Sequence, residues 1–392
     1  MGFVVLTLPH MSSTDDIRRI KAALRMQGLT QKDLAGKLGK KPSEVSRWLS
    51  GRMGISDANL QRIEQVLGTE GMSSSVLQPS APLRIGIIGT GSIAMRFASE
   101  AAHVDTVTTA AAFNPDPDEC SVFCDRFGIP CAARTPAQLI EASDAVYVAS
   151  PLSTHFEYSK MALEAGRHVL CEMPFTATRA QASELFRLAA RKRLAIVPAL
   201  KTAFCPSFQK LVEIAQGGAI GDVSDISATV TTMLPDSSSL EFNDERILEN
   251  ATYPILVAFK LLGTGYRKLI STSRRSASAQ DGRTIFNHSA LIYDGVVASF
   301  KVGTGVKSEG SLVISGTRGY IYVPAPWWRT DYFELRFENP AENRKFYFPF
   351  EQAGLRYEIA SFTEAVKSSF PDPAGLTREE TLRMIEIQTQ LI

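Results

Sequence analysis

At 392 residues the chain exceeds one ordinary domain, so two or three are expected. A hydrophobic fraction of 44% beside 21% charged residues excludes an extended disordered chain, and no apolar run reaches membrane-spanning length, so no membrane partner is expected. The net charge of +1 alone says nothing about partners, but its distribution does: residues 15–68 carry +5, on a remainder of −4. Five cysteines without a pairing pattern suit a reducing compartment, and a cytoplasmic location is expected. Cys120, Cys124 and Cys131 fit no zinc spacing, so no metal is expected.

Residues 1–14 read as an arm, because Met1–Pro9 is apolar but too short and too poor in basic residues for a signal peptide. From Asp15 to Met26, Ile17, Ile20, Ala23 and Leu24 form one helical stripe, which Gly28 ends. Thr30 can cap a second helix with Asp33 as its reciprocal partner, and Gly39 stops it after Leu38. Pro42 suits the first turn of a third helix, with Val45, Trp48 and Leu49 inward and Ser43, Ser46 and Arg47 outward, as far as Ser50-Gly51. Ser56 can cap a fourth, carrying Leu60, Ile63, Val66 and Leu67.

Short helices with a glycine turn between the second and third make a helix-turn-helix layout. Leu29–Gly39 and Pro42–Gly51 closely resemble the Xre/Cro phage-repressor family over residues 15–68. The resemblance implies a DNA-binding domain that uses Gln31, Lys41, Ser43, Ser46, Arg47 and Arg52. Gln31 and Arg52 would meet phosphates, and Ser43 and Arg47 occupy base-reading positions. Arg47 can pair bidentately with a guanine. Pro42 stands where the family often has glutamine, and it cannot read a base edge by hydrogen bonding. A homodimer on a two-fold operator is expected, since one such unit binds weakly. A solvated surface or a protein-contact module is the alternative.

Residues 69–82, rich in Ser, Pro and Gly, read as a linker. Leu83–Ile88 is then a buried strand, followed at once by Gly89-Thr90-Gly91-Ser92-Ile93-Ala94 and a helix over Met95–Ala102. This glycine turn lets a backbone approach a pyrophosphate at a helix N-terminus. A second strand, Val107–Phe113, ends at Asn114, where an acid for the ribose hydroxyls is usual. The neutral Asn114 would not repel a 2′-phosphate, which narrowly favours NADP over NAD. A further strand, Asp144–Ser150, leads to Pro151 and His155. Another ends at Glu172-Met173-Pro174.

This run resembles the Gfo/Idh/MocA oxidoreductase family, and the resemblance continues through residues 204–223 and to the end of the chain. It implies a Rossmann domain over 83–200 and an α+β domain over 201–392 with a large, mostly antiparallel sheet used for ligand binding and for a homodimer or homotetramer. The cofactor residues it implies are Gly89, Thr90, Gly91, Ser92, Ile93, Asn114, Ser150, Pro151, His155, Glu172, Met173 and Pro174. Leu152 and Met173 depart from the family, which commonly has asparagine and lysine there. Methionine has neither charge nor proton with which to stabilise an alkoxide.

Strands are expected over 223–232, 285–293, 296–302, 311–315, 320–323 and 332–337, and Leu376–Leu391 is expected to return as a helix to the nucleotide domain. Glu241–Gly263 aligns with the family's substrate helix, which puts Tyr253 at a proton-donor position with Glu172 and Lys201 as further catalytic candidates. Lys201 would be the cation that lowers the Tyr253 phenol, and a half-buried aromatic is the alternative for Tyr253. Pro324–Tyr332 reads as edge packing or a subunit contact ahead of a sugar platform. The leading expectation is a DNA-binding regulator whose body binds NAD(P) and a sugar-like ligand with catalysis lost. The alternatives are an active NAD(P)-dependent sugar, polyol or nucleotide-sugar oxidoreductase and a non-regulatory scaffold.

Overall fold

The computed structural model describes residues 17, 20, 24, 30–49, 55–67, 81–233, 245–276, 283–348, 353–368 and 375–392. The arm, most of the first helical stripe, Gly28, Ser50-Gly51, Arg52, residues 69–80 of the linker and Glu241–Asp244 lie outside them. The chain forms two compact units, residues 1–80 and 81–392.

In the first unit, helices run over Gln31–Leu38, Pro42–Leu49 and Asp57–Leu67. The Thr30 hydroxyl accepts from the Asp33 N–H while the Asp33 carboxylate accepts from the Thr30 N–H, so both ends of the capping box are closed. Gly39 ends the helix at φ 65°. Ile20, Leu24, Leu34, Val45, Trp48, Leu49, Ile63 and Leu67 form the core, so the apolar spacing of each helix points to one common centre.

The second unit holds two sheets. The first comprises β1 (Leu83–Ile88), β2 (Val107–Phe113), β3 (Ala132–Ala133), β4 (Ala145–Val148), β5 (His168–Glu172) and β6 (Ile196–Ala199). All pairs are parallel, in the order β3-β2-β1-β4-β5-β6. The order reverses between β1 and β4, which opens a crevice beyond their C-terminal ends. Gly89 lies in that crevice at φ 101°, and a Cβ there would fall 2.3 Å from the Ala149 carbonyl oxygen. Only glycine meets both conditions.

The second sheet comprises β7 (Val223–Thr232), β8 (Lys268–Arg275), β9 (Thr284–Ile292), β10 (Val297–Thr304), β11 (Leu312–Gly316), β12 (Gly319–Val323), β13 (Tyr332–Phe337) and β14 (Arg344–Tyr347). Its order is β14-β13-β12-β11-β7-β10-β9-β8, antiparallel except for β7 with β10. Edge strands β8 and β14 carry too little apolar alternation to be read from sequence, and β8 is exposed along almost all its length.

The helix Glu245–Leu262 packs on β7 and β10 through Ile247, Ala251, Ile255 and Leu256. The closing helix, Arg378–Gln388, does return to the nucleotide-binding layer, where it packs on Arg179–Lys192 and on Glu245–Leu262. The helix Leu355–Lys367 packs on Ser92–Ala101. Its start is tied down by the buried Glu100 carboxylate, which accepts the N–H groups of Ala353 (2.8 Å) and Arg356 (2.9 Å).

Gly89→Ala is expected to cost roughly 1–3 kcal/mol through backbone strain and the clash with Ala149. Gly91→Ala, at φ −69° with open space around it, should leave the unfolding temperature unchanged. Thermal unfolding of the two variants checks this, and equal stabilities would contradict it.

Candidate functional site

In the first unit, Gln31, Lys41, Ser43, Ser46 and Arg47 are all exposed, Lys41 in the connection after Gly39 and the others on the two helices that flank it. The Arg47 Nε donates to the Ser43 carbonyl at 3.3 Å. Lys40, by contrast, is engaged locally: it pairs with Glu44 at 3.1 Å and lies 5.5 Å from the Trp48 ring centroid.

In the second unit a cavity of about 1340 Å³ starts at the glycine loop and runs to the helix Glu245–Leu262. Gly89, Thr90, Gly91, Ser92, Ile93, Asn114, Ser150, Pro151, His155, Glu172, Met173, Pro174, Lys201 and Tyr253 all line it, so residues more than 150 positions apart share one chamber. The loop end suits a pyrophosphate. Gly91 caps the helix Ser92–Ala101 without a side-chain hydrogen bond, and nothing lies within 4 Å of where its Cβ would be. The N–H groups of the first turn are thus left for a ligand. The Asn114 amide donates to the Thr90 hydroxyl and to Glu119 (3.1 Å), and its oxygen accepts the Asp116 N–H (2.8 Å). His155 is almost wholly buried and bridges the Ser150 (2.7 Å) and Pro174 (2.9 Å) carbonyls, which ties the loop after β4 to the turn after β5.

The inner end is crowded with ionisable groups. Glu172 accepts from the buried Tyr147 hydroxyl and from the Met173 N–H (3.3 Å), yet burial still raises its carboxyl above the usual range. Tyr147 is itself held by stacking on Phe97, with ring centroids 3.8 Å apart. Glu249 is exposed and lines the cavity. The protein packed around it on the cavity side pushes its carboxyl up to about 7 by desolvation, Arg246 opposes, and Glu172 adds to the rise. Burial lowers the Lys201 ammonium, against the neighbouring Glu358 and Glu172. Met173 is 7% exposed and lines the same wall.

Tyr253 is half-buried between two tryptophans, 6.5 Å from Trp327 and 6.1 Å from Trp328 by ring centroid. Burial lifts its phenol well above the ordinary value, and Glu172, Glu249 and Glu358 lift it further, with Arg96 opposing. The expectation that Lys201 lowers this phenol therefore reverses, because acids dominate the surroundings of Tyr253. Trp327 is fully buried, and its indole N–H donates to the Thr229 carbonyl at 2.9 Å, so it is core and not a sugar platform.

Glu358, Arg96 and Tyr147 are the participants that sequence reading missed. Arg96 follows the glycine loop by one helical turn and was within reach of a motif argument. Glu358 and Tyr147 carry no local signal. Among the described residues no cluster of His, Cys, Asp and Glu could hold a metal, and no helix is long and apolar enough to cross a membrane.

Comparison with known proteins matches two families. Residues 83–199 match GFO_IDH_MocA, described as an oxidoreductase family with an NAD-binding Rossmann fold, and residues 20–71 match the helix-turn-helix family HTH_3. The chain is 30% identical over 262 residues to a dTDP-3,4-didehydro-2,6-dideoxy-alpha-D-glucose 3-reductase of Saccharopolyspora spinosa, covering 63% of this chain and 77% of that one. It is 25% identical over 324 residues to scyllo-inositol 2-dehydrogenase (NADP(+)) of Bacillus subtilis, covering 79% and 95%. A 3-ketoreductase from Actinomadura kijaniata, solved with NADP and TDP-benzene, has the same fold, with a TM-score of 0.70 at 23% identity over 79% of this chain and 97% of that one.

A carboxyl raised to about 7 destabilises the fold progressively as pH rises from its ordinary 4.5, because the unfolded chain ionises first. The unfolding temperature of the wild type relative to Glu249→Gln should fall between about pH 4.5 and 7 and level off above. Thermal melts across that range check it, and a flat difference would place Glu249 at an ordinary carboxylate value.

Proposed function

From residue 83 onward the chain belongs to the Gfo/Idh/MocA oxidoreductase family, with a helix-turn-helix module before it, and on that premise we propose that it is a DNA-binding regulator. Its body binds NAD(P) and an uncharged, sugar-like ligand, and its basic module reads a two-fold operator as a homodimer or homotetramer. The observation that carries this reading is the mismatch between the two ends of the cavity. The glycine-loop end keeps an open pyrophosphate cradle, while the inner wall presents the Met173 thioether in place of the family's lysine. Such a cavity can hold its ligands without stabilising a developing alkoxide. NADP is the preferred form in this reading, on the neutrality of Asn114 and the NADP named for the inositol dehydrogenase relative. Glu119, beside Asn114, narrows that preference by charge.

A second reading is an active keto-sugar reductase, favoured by Lys201 in the cavity wall and by the reductases among the relatives. Bound reduced nicotinamide would supply the hydride. Tyr253, kept protonated by burial and by three carboxyls, would donate its phenol proton to the carbonyl oxygen and regain one from solvent. The protonated phenol is the form that reduction of a carbonyl consumes.

Three measurements test the readings. Fluorescence titration of the full chain with NADPH and NADH should give binding, and failure with both would end either account. Mixed with NADPH and dTDP-linked or free keto sugars, the wild type should leave the nicotinamide absorbance unchanged, whereas Met173→Lys should gain turnover. Wild-type turnover abolished by Tyr253→Phe would establish the reductase instead. On a DNA site selected from a random library, Arg47→Ala should cost about 1–3 kcal/mol without altering NADPH binding. Unchanged DNA affinity would remove Arg47 from the readout.

A further inference from the structure

Glu358 is fully buried, lines the cavity, and has no hydrogen-bond partner for either carboxyl oxygen among the described residues. Its position is built and not incidental. Glu100 fixes the start of the helix Leu355–Lys367 through the Ala353 and Arg356 N–H groups, and Glu358 follows within the first turns of that helix. A buried carboxyl with both oxygens unmatched is unfavourable unless a partner arrives with a ligand.

The fold indicates which part of a ligand arrives there. In a sheet of order β3-β2-β1-β4-β5-β6 a dinucleotide straddles the switch between β1 and β4. With the pyrophosphate at Gly89–Ser92, the nicotinamide half lies beyond the ends of β4, β5 and β6. The groups whose charges act most strongly on Glu358 are Glu172, at the end of β5, and Lys201, just after β6. An un-ionised carboxylic acid offers one donor and one acceptor on a single carbon. A primary carboxamide offers the complementary set, so the two can close a pair of hydrogen bonds.

We propose that Glu358 binds the carboxamide of the nicotinamide ring through an acid–amide pair. The inference rests on the reading that this cavity holds NAD(P). It explains why an acid is buried here without a partner and how the chain holds the ring beside an apolar Met173. Burial and the Glu172 charge keep Glu358 well above the usual carboxylate range and Lys201 opposes, with Glu100 adding to the rise and Arg356 lying beside Glu100 at 3.7 Å. Glu249 and Tyr253 face the same chamber from the helix Glu245–Leu262.

The test compares NADPH with 2′-phospho-ADP-ribose, which lacks the nicotinamide, on the full-length wild type and on Glu358→Gln, Glu358→Ala and Glu358→Leu. Calorimetric dissociation constants are measured from acidic to alkaline pH. Glu358→Ala and Glu358→Leu should weaken NADPH by about tenfold or more and leave the fragment unchanged. Glu358→Gln, whose amide can still pair with an amide, should keep most NADPH affinity. Wild-type NADPH affinity should fall at high pH relative to Glu358→Gln as the acid loses its donated proton, a comparison in which Glu249 titrates equally on both sides. Leucine nearly matches the volume of the acid and guards against a cavity collapse in the alanine variant. The inference is overturned if both apolar variants bind NADPH as tightly as the wild type, or if they lose NADPH and fragment equally. A wild type that binds neither removes the dinucleotide reading itself, and this inference with it.

Discussion

Carboxyl groups taken out of water resist ionisation, and the inner end of this cavity brings together the buried Glu358, the half-buried Glu172 and the exposed Glu249. Glu172 stands at the end of a parallel strand, Glu249 on the long helix that lies over the second sheet, and Glu358 on a helix near the C-terminus. No single element makes the cluster, so sheet, long helix and C-terminal helix must all dock before it exists. The supports are correspondingly deep. Tyr147, stacked on Phe97, holds Glu172 from below, and Glu100 pins the helix that carries Glu358. The cost of crowding acids is tolerable when they share protons, pair with Lys201, or receive a ligand's polar groups.

That crowding sets what the chamber can do. Tyr253 stays protonated, because acids surround it, and its ring lies near two tryptophans. Met173 adds no charge. The chamber suits an uncharged polyhydroxy molecule better than an acid, since a carboxylate would meet three carboxyls beside Tyr253. At the other end, glycine and a helix N-terminus without a side-chain cap make a place for phosphate. The chain thus joins a glycine-loop phosphate site to an inner wall with Met173 where the family has lysine, and it carries a basic helix-turn-helix module ahead of that body.

Much of this was legible in the sequence where the determinant is local. The Thr30–Asp33 capping box, the Gly39 stop, the inward Val45, Trp48 and Leu49, and the strand–glycine–helix run at 83–101 each follow from neighbours within a few positions. Central strands β7 and β9–β13 showed through their alternation, whereas β8, polar and exposed at the sheet edge, did not. Lys201 was proposed from chain order alone and does line the cavity, but its expected effect on Tyr253 was outweighed by acids. Glu358 was invisible because its surroundings come from residues more than 150 positions away, and nothing in Tyr357-Glu358-Ile359 distinguishes it from a surface acid on an amphipathic helix.

The central claim is that occupancy of the cavity is read by the DNA-binding module. Fluorescence anisotropy of the full-length protein on its selected DNA site, with and without saturating NADPH, tests it most directly. A regulator requires a coupling free energy of about 1–3 kcal/mol between the two sites, seen as a change in DNA affinity of roughly 5- to 150-fold. Equal DNA affinity with and without NADPH, and again with a sugar-like ligand added, would contradict the account.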